Sequence, residues 1–348
     1  MKPLLIAGSG AVAATGTRSW QVATTLEAGL SRVQKLARGA HALWANPCRS
    51  LPQTVRVETR LFAALASAIE EALAGLAGQS RRRVLYLALP SPSLGWPANL
   101  AERMRPMLDD LCRQLLISQW LYVCEGAAGG FSAAAAAFEL LQAEPESVAV
   151  IAGADNWLEP VVLQRAFDAG WLVTDTDDSG FIAGEAAAAV ALCAVAEPHR
   201  QRRQALLHRP VCSHSTGRHP PPQGELGEYA RWAETLRRAI TEAGLRGEHL
   251  SDSWSDQDGD LWRVQTERAA LDAAQIPTSQ VELRRPGALL GNVGAAWAPL
   301  LWTLVTEQIR NQPLPPGAAL TTAASLGGSL IGAAVIERSA PPPEAALD

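Results

Sequence analysis

Residues Gly126 to Leu141, GAAGGFSAAAAAFELL, carry almost nothing but small side chains at helical spacing. Side chains of this size let other backbones approach from every direction, so the segment reads as a central helix enclosed by its neighbours. Short apolar runs of strand length flank it, Leu121 to Val123 before and Ser147 to Gly153 (SVAVIAG) after. A helix buried between strands calls for structure on several sides, and the 348 residues allow it. A chain of that length buries either one large core or two half-domains packed together.

The rest of the chain repeats the alternation. Residues 3 to 15 read as a strand entering a glycine-containing turn; glycine follows only four apolar residues, which suits a first strand better than a signal peptide. Ser19 to Leu36 has helical spacing, Arg83 to Leu89 is a strand ended by Pro90, Ser91 and Pro92, and Ala101 to Gln119 is an amphipathic helix. A long apolar strand from Gly184 to Ala196 closes the first half. Residues 197–224 hold HRQRRQ, four of the six histidines and HPPPQG, a composition unsuited to a core, and read as a solvated linker. Residues 225–339 then give helices at 226–242, 262–274 and 294–308, with strands near 249–254 and 330–337. The expected organisation is thus an N-terminal half over 1–196, the linker, a C-terminal half over 225–339 and a loose, Pro-rich tail over 340–348. Strands alternating with helices in two similar halves make an α/β protein with helices layered on sheets.

Composition narrows the function. Thirty basic against 35 acidic residues give a net charge of −5, which argues against nucleic acid or an anionic membrane as partner. No apolar run reaches the ~18 residues of a membrane span. Cys48, Cys112, Cys124, Cys193 and Cys212 are odd in number, lack zinc spacing and read as buried or free thiols in a reducing compartment, as expected of a cytoplasmic protein. Lys2 and Lys35 are the only lysines, so no lysine amine is available beyond residue 35.

Four blocks, in order, resemble the β-ketoacyl synthase branch of the thiolase-fold condensing enzymes over nearly the whole length. LLIAGSGAVAATG with TRSWQVATTLEAGLSRV resembles the first strand, glycine turn and first helix of that family. VCEGAAGGFSAAAAAFELLQAEPESVAVIAGAD resembles its nucleophile strand, helix and following strand. DDSGFIAGEAAAAVAL keeps the Gly-Phe and Gly-Glu pairs as Gly180, Phe181, Gly184 and Glu185, and GNVGAAWA and SLGGSLIGAAVIE resemble the closing blocks. The resemblance implies a thiolase-like fold, two pseudo-symmetric α/β halves forming five αβαβα layers. It also implies a dimer made through the strand after the nucleophile helix, here near Ser147 to Gly153.

Family chemistry needs a cysteine thiolate at the central helix N-terminus, two imidazoles or a His and an Asn, and in this branch a supporting lysine. Laid on the pattern without gaps, the nucleophile position holds Ala127. Counting back from Gly259-Asp260 puts Asp252 at the first histidine position, the second falls at Gly291 or, shifted by one, Asn292, and the lysine position falls at Pro286. No histidine follows His249. Trp297 stands where the pattern has glycine, and its bulk with Phe131 and Phe181 is expected to fill substrate volume.

The remaining candidates have plain alternatives. Cys124 is either a displaced nucleophile or an inert buried thiol. Glu125 reads as a helix-capping carboxylate. Asp252, Asp256, Asp258 and Asp260 are either oxygen ligands for a metal or, as favoured here, turn formers in a solvated loop. Asn292 contacts a ligand or caps a helix, and His41 reads as a surface residue of a helix-like segment. No cofactor or metal is expected. The resemblance therefore implies a catalytically silent synthase-like protein, a homodimer or a heterodimer with a synthase-like subunit. Its role is that of an adaptor or chaperone for a protein client, as in type VI secretion effector loading. The alternatives are a chain-length-factor-like subunit of an active ketosynthase and a diverged acyltransferase using Cys124.

Overall fold

The computed structural model describes residues 1–38, 41–52, 56–76, 81–195, 204–214, 228–312, 317–326 and 330–339. The N-terminal elements are β1 (Leu4–Ala13), α1 (Ser19–Glu27), β2 (Gln34–Arg38), β3 (His41–Asn46), α2 (Val57–Ala74), β4 (Arg83–Ala88), α3 (Leu100–Gln114), β5 (Ile117–Val123), α4 (Gly129–Ala143), β6 (Val148–Asn156), α5 (Pro160–Asp168) and β7 (Ala183–Ala194). The C-terminal elements are β8 (Ala205–Leu207), β9 (Val211–His214), α6 (Tyr229–Glu242), β10 (Leu250–Ser255), α7 (Leu261–Ala273), β11 (Glu282–Arg284), α8 (Gly287–Leu290), α9 (Trp297–Asn311), β12 (Gly317–Ala324) and β13 (Leu330–Arg338).

The strands run in the order β11-β10-β12-β13-β8-β1-β7-β6-β4-β5. Each half of that order obeys one rule. In the first, β5, β4 and β6 are parallel, β7 is antiparallel to β6, and β1 is antiparallel to β7. In the second, β11, β10 and β12 are parallel, β13 is antiparallel to β12, and β8 and β9 are antiparallel to β13. The halves meet where Leu4 and Leu5 of β1 pair with Leu207 and Leu206 of β8.

Three apolar cores separate five layers. Leu85, Leu87, Val148 and Val150 face α2 and α3 on one outside, while Leu250, Leu320 and Val335 face α6 and α7 on the other. Between them, Val84, Tyr86 and Ile151 of the first half and Ala319, Ala323 and Ile336 of the second enclose α4 and α9. Both sheet faces are covered, so strands such as β6 are continuous apolar runs rather than alternating ones. The middle helices touch at backbone distance: a Cβ on Gly130 of α4 would lie 2.6 Å from Ala298 Cβ of α9. This is the enclosure that the small side chains of 126–141 require.

Several sequence expectations change. The segment 19–36 is not one helix: α1 ends at Glu27, Gly29 turns the chain at φ +67°, and β2 follows. His41 lies on β3, not in a helix, although its ring is exposed beside Phe167. The helix expected to reach Gln119 stops at Gln114, where Leu116 turns at φ +56° and β5 begins. Residues 197–224 are not simply a solvated linker, because β8 and β9 lie within them and complete the sheet; their basic run, the HPPPQG stretch and the tail over 340–348 lie outside the described residues. The strand expected to form a dimer, 147–153, is interior, since β6 is paired with β4 on one side and β7 on the other. Among the described residues no helix is long and apolar enough to cross a membrane.

Gly130→Val tests the middle layer. The added side chain must displace α9, and overpacking of this kind costs about 1–3 kcal/mol; thermal unfolding followed by circular dichroism is expected to show a lower midpoint, whereas Gly75→Ala, where a Cβ meets nothing, leaves it unchanged.

Candidate functional site

Four segments converge at the entrance to α4: the turn Gly126–Ala128, the loop 256–260 after β10, the loop 291–294 before α9, and residues 324–326 after β12. A ladder of hydrogen bonds ties them together. Ser325 Oγ accepts the Ala128 N–H at 3.1 Å and donates to the Glu125 carbonyl. Ala324 N–H donates to Asp256 Oδ2 at 3.0 Å. Arg263, only 1% exposed, reaches Asp256 at 2.6 Å and Asp258 at 3.0 Å, and Asn292 Nδ2 donates to Asp258 at 2.8 Å. Asn292 Oδ1 in turn accepts Gly294 N–H at 2.9 Å, and Ala295 N–H donates to Asp155 Oδ2 at 2.9 Å.

The acidic loop is therefore not solvated. Asp256, Asp258 and Asp260 are all buried; the Arg263 guanidinium, in the first turn of α7, holds the first two, and Asp260 caps that helix through the Trp262 N–H. Buried carboxylates survive when a cation and hydrogen bonds replace water, which Arg263 supplies with a two-pronged geometry. No group of three or more His, Cys, Asp or Glu side chains is arranged for a metal ion among the described residues.

The positions matched to family chemistry scatter. Ala127 is buried in the turn before α4. Asp252 is four residues up β10 from Asp256, roughly 13 Å along a strand, and its carboxylate is bound by Arg338; it takes no part in the convergence at α4, whereas Asp256 does. Gly291, at φ +74°, has no room for a side chain, because a Cβ would meet the Ile182 carbonyl at 2.5 Å. Asn292 caps the following turn. Pro286 precedes α8, whose first residue, Gly287, packs against the acidic loop, since a Cβ there would meet the Gln257 carbonyl at 2.3 Å. Phe131 and Trp297 both lie in the middle core, Phe131 packing edge-on against Trp302 at 5.3 Å, but Phe181 belongs to the outer core beside Trp157 at 4.9 Å. Phe181 therefore does not share the volume that Phe131 and Trp297 fill. Glu125 does not cap α4 either; Ser325 takes the free N–H, a role that no local spacing announces because the residues are 197 apart.

The cavity lined by Ser325, Trp232, Trp262 and Arg263 measures about 10 Å³, room for at most roughly one water. Cys124 is half-buried, and burial, aided by the Glu125 charge, pushes its thiol pKa up, away from the thiolate. The side chains that hydrogen-bond across the α4 entrance are thus a hydroxyl, carboxylates, a carboxamide and a guanidinium.

No protein-family model and no curated protein matches this chain. Solved structures do. The oxazolomycin ketosynthase domain OzmH KS7 of Streptomyces albus JA3453 superposes with a TM-score of 0.79 at 14% identity, covering 98% of this chain and 75% of that one. The fold is thiolase-like, of the ketosynthase type. The ketosynthase of the type II polyketide complex AntDE:AntF, captured with its acyl-carrier protein, also matches at 0.79 with 13% identity over 97% of this chain and 99% of that one. The ishigamide ketosynthase/chain length factor matches at 0.76 with 15% identity over 97% and 99%. At such identities the ketosynthase likeness is one of fold.

Burial sets a pH dependence in this ketosynthase-like core. Desolvation raises Asp155 to about 7, against hydrogen bonds from Ala295 and Asn156, and raises Asp256 and Asp260 to about 6. The native state then keeps protons that the unfolded chain releases near 3.8, so stability falls as pH rises from about 4 to about 7. The midpoint of thermal unfolding is expected to be higher at pH 5.5 than at pH 8, and Asp155→Asn, which cannot ionise, is expected to shrink that difference. An unchanged difference in the variant contradicts the assignment.

Proposed function

We propose that this chain is a catalytically silent ketosynthase-like protein that acts by binding another protein. The observation that carries this reading is the state of the α4 entrance: a methyl group at Ala127 where the family reaction needs a thiolate, with the adjacent helix N–H already taken by the Ser325 hydroxyl. Chemistry of this type depends on N–H donors that are free to meet a developing oxyanion, and here the donor at Ala128 is engaged. The cavity beside Ser325 measures about 10 Å³ among the described residues, and Phe131 packs edge-on against Trp302 in the middle core, which supports a filled rather than an open interior. An adaptor or chaperone for a protein client, of the kind used in type VI effector loading, needs none of these groups.

A chain-length-factor-like subunit is the second reading, favoured by one feature. Among the described residues β5 pairs only with β4, and it carries exposed Leu121 and Tyr122 and a half-buried Trp120 beneath Arg105. An apolar unpaired edge is suited to strand-to-strand association with a second copy or with a synthase-like subunit. Diverged acyl transfer through Cys124 is the third reading, and the raised thiol pKa weighs against it.

Intact mass after incubation with acyl-CoA or acyl-carrier protein is expected to show no covalent adduct; an adduct lost in Cys124→Ala overturns the silent reading. Light scattering is expected to report a dimer that Leu121→Arg with Tyr122→Asp converts to monomer. Co-purification of an active synthase with the wild-type chain selects the second reading over the first.

A further inference from the structure

We propose that the cleft between the end of β1, α1 and the loop 48–50 binds a small phosphorylated compound with a planar ring, such as a nucleotide. The cleft has a volume of about 390 Å³ and is lined by Ala13 to Thr17, Trp20, Gln21, Thr24, Thr25, Arg32, Arg49 and Ser50. That volume lies within the range of about 300–1,000 Å³ typical of small-molecule sites.

Three features point to the ligand chemistry. Trp20 is 56% exposed, and it alone among the 11 tryptophans is fully on the surface, as a ring left open for stacking. The lining contains two guanidinium groups and no carboxylate, although the chain as a whole carries a net charge of −5. Arg49 is held by the Gln34 amide, a neutral partner that orients the guanidinium and leaves its charge unneutralised; no carboxylate pairs with Arg32 or Arg49 among the described residues. Thr15, only 6% exposed, has a hydroxyl with no hydrogen-bond partner in the cleft wall. Arginine forks match phosphate oxygens two at a time, and the exposed Thr24 hydroxyl adds a donor at the rim, whereas the Thr17 hydroxyl donates to Gln21 and that of Ser50 is engaged with the Cys48 thiol.

The cleft is also built before any ligand arrives. Ala13 and Gly16 exchange two backbone hydrogen bonds, at 2.8 and 3.1 Å, which closes the turn at its floor. Thr17 N–H donates to Gln21 Oε1 at 3.0 Å, fixing the entry to α1. The loop on the other wall is anchored by Cys48, whose N–H donates to Glu185 at 3.1 Å, whose carbonyl accepts from Arg60 at 2.9 Å, and whose thiol donates to the Ala13 carbonyl at 3.4 Å. Rigid walls reduce the ordering cost that binding incurs. The site lies apart from the α4 entrance and stands whether or not the chain is silent.

Titration calorimetry with ADP, adenosine and pyrophosphate on the full chain tests the proposal. ADP is expected to saturate, and to bind more tightly than adenosine, which lacks the charge, and than pyrophosphate, which lacks the ring. Trp20→Ala and Arg49→Gln are each expected to weaken ADP about tenfold, with Trp20→Phe restoring most of the loss and the circular dichroism of all three unchanged. Raised salt is expected to weaken ADP and leave adenosine unaffected. No saturation by ADP at millimolar concentration, equal affinity in wild type and both variants, or pyrophosphate binding as tightly as ADP overturns it. Capture of a protein through Trp20 without ADP saturation also overturns it, in favour of a macromolecular surface.

Discussion

The approach of α4 to α9 is the contact around which everything else is arranged. Two sheets that each need one inner face covered share a single middle layer, and that layer is one helix thick, with α4 and α9 side by side within it. Gly130 against Ala298, with the run of alanines behind it, lets α4 sit at backbone distance from its partner and still touch strands of both halves. Larger side chains on α4 would push the sheets apart and break the β1–β8 pairing that makes them one. A Cβ on Gly153 of β6, meeting the Ala295 carbonyl at 2.2 Å, would do the same from the sheet side.

The loops at the α4 entrance are locked by charge rather than by apolar packing. A carboxylate moved from water to a protein interior loses several kcal/mol of solvation unless a partner compensates. Arg263 faces Asp256 and Asp258 together, and the carboxamide of Asn292 serves the second of these. Removing the guanidinium leaves two buried carboxylates to protonate or to drag in water, so the cage holds the loops in one arrangement. The consequence for function is rigidity: a surface built from 256–260, 291–294 and 324–326 has little freedom to open around a substrate.

How much of this was legible depended on the range of the signal. The central helix, the apolar strands and the two-half order are written in local composition, which is why α4, β6 and β7 fall where periodicity puts them. Boundaries set by single backbone angles were not, as at Gly29 and Leu116, where a turn splits a pattern that reads as one helix. The Arg263 cage was invisible for a different reason: aspartates spaced two apart look like turn formers until a guanidinium from the next helix is folded over them. Counting along the chain placed Asp252 away from the α4 entrance, on β10 beside Arg338, because alignment by a Gly-Asp pair carries no information about which residues reach the strand's end. The strands inside 204–214 were missed because β8 and β9 are too short, at three and four residues, to stand out from the polar sequence around them.

The two halves obey one strand order, yet they end differently, and the difference gives the molecule a direction. β11 closes the C-terminal half with three residues, and Glu282 pairs with Arg284 across its short edge. Charge and brevity of that kind discourage further strands from joining. β5 closes the N-terminal half with seven residues, among which Leu121 and Tyr122 are exposed on opposite faces, and Leu116 just before it is exposed as well. Duplication alone leaves two equivalent edges. Among the described residues one end of the sheet is short and ion-paired and the other is longer and apolar, so the two ends differ in how readily a further strand would pair with them.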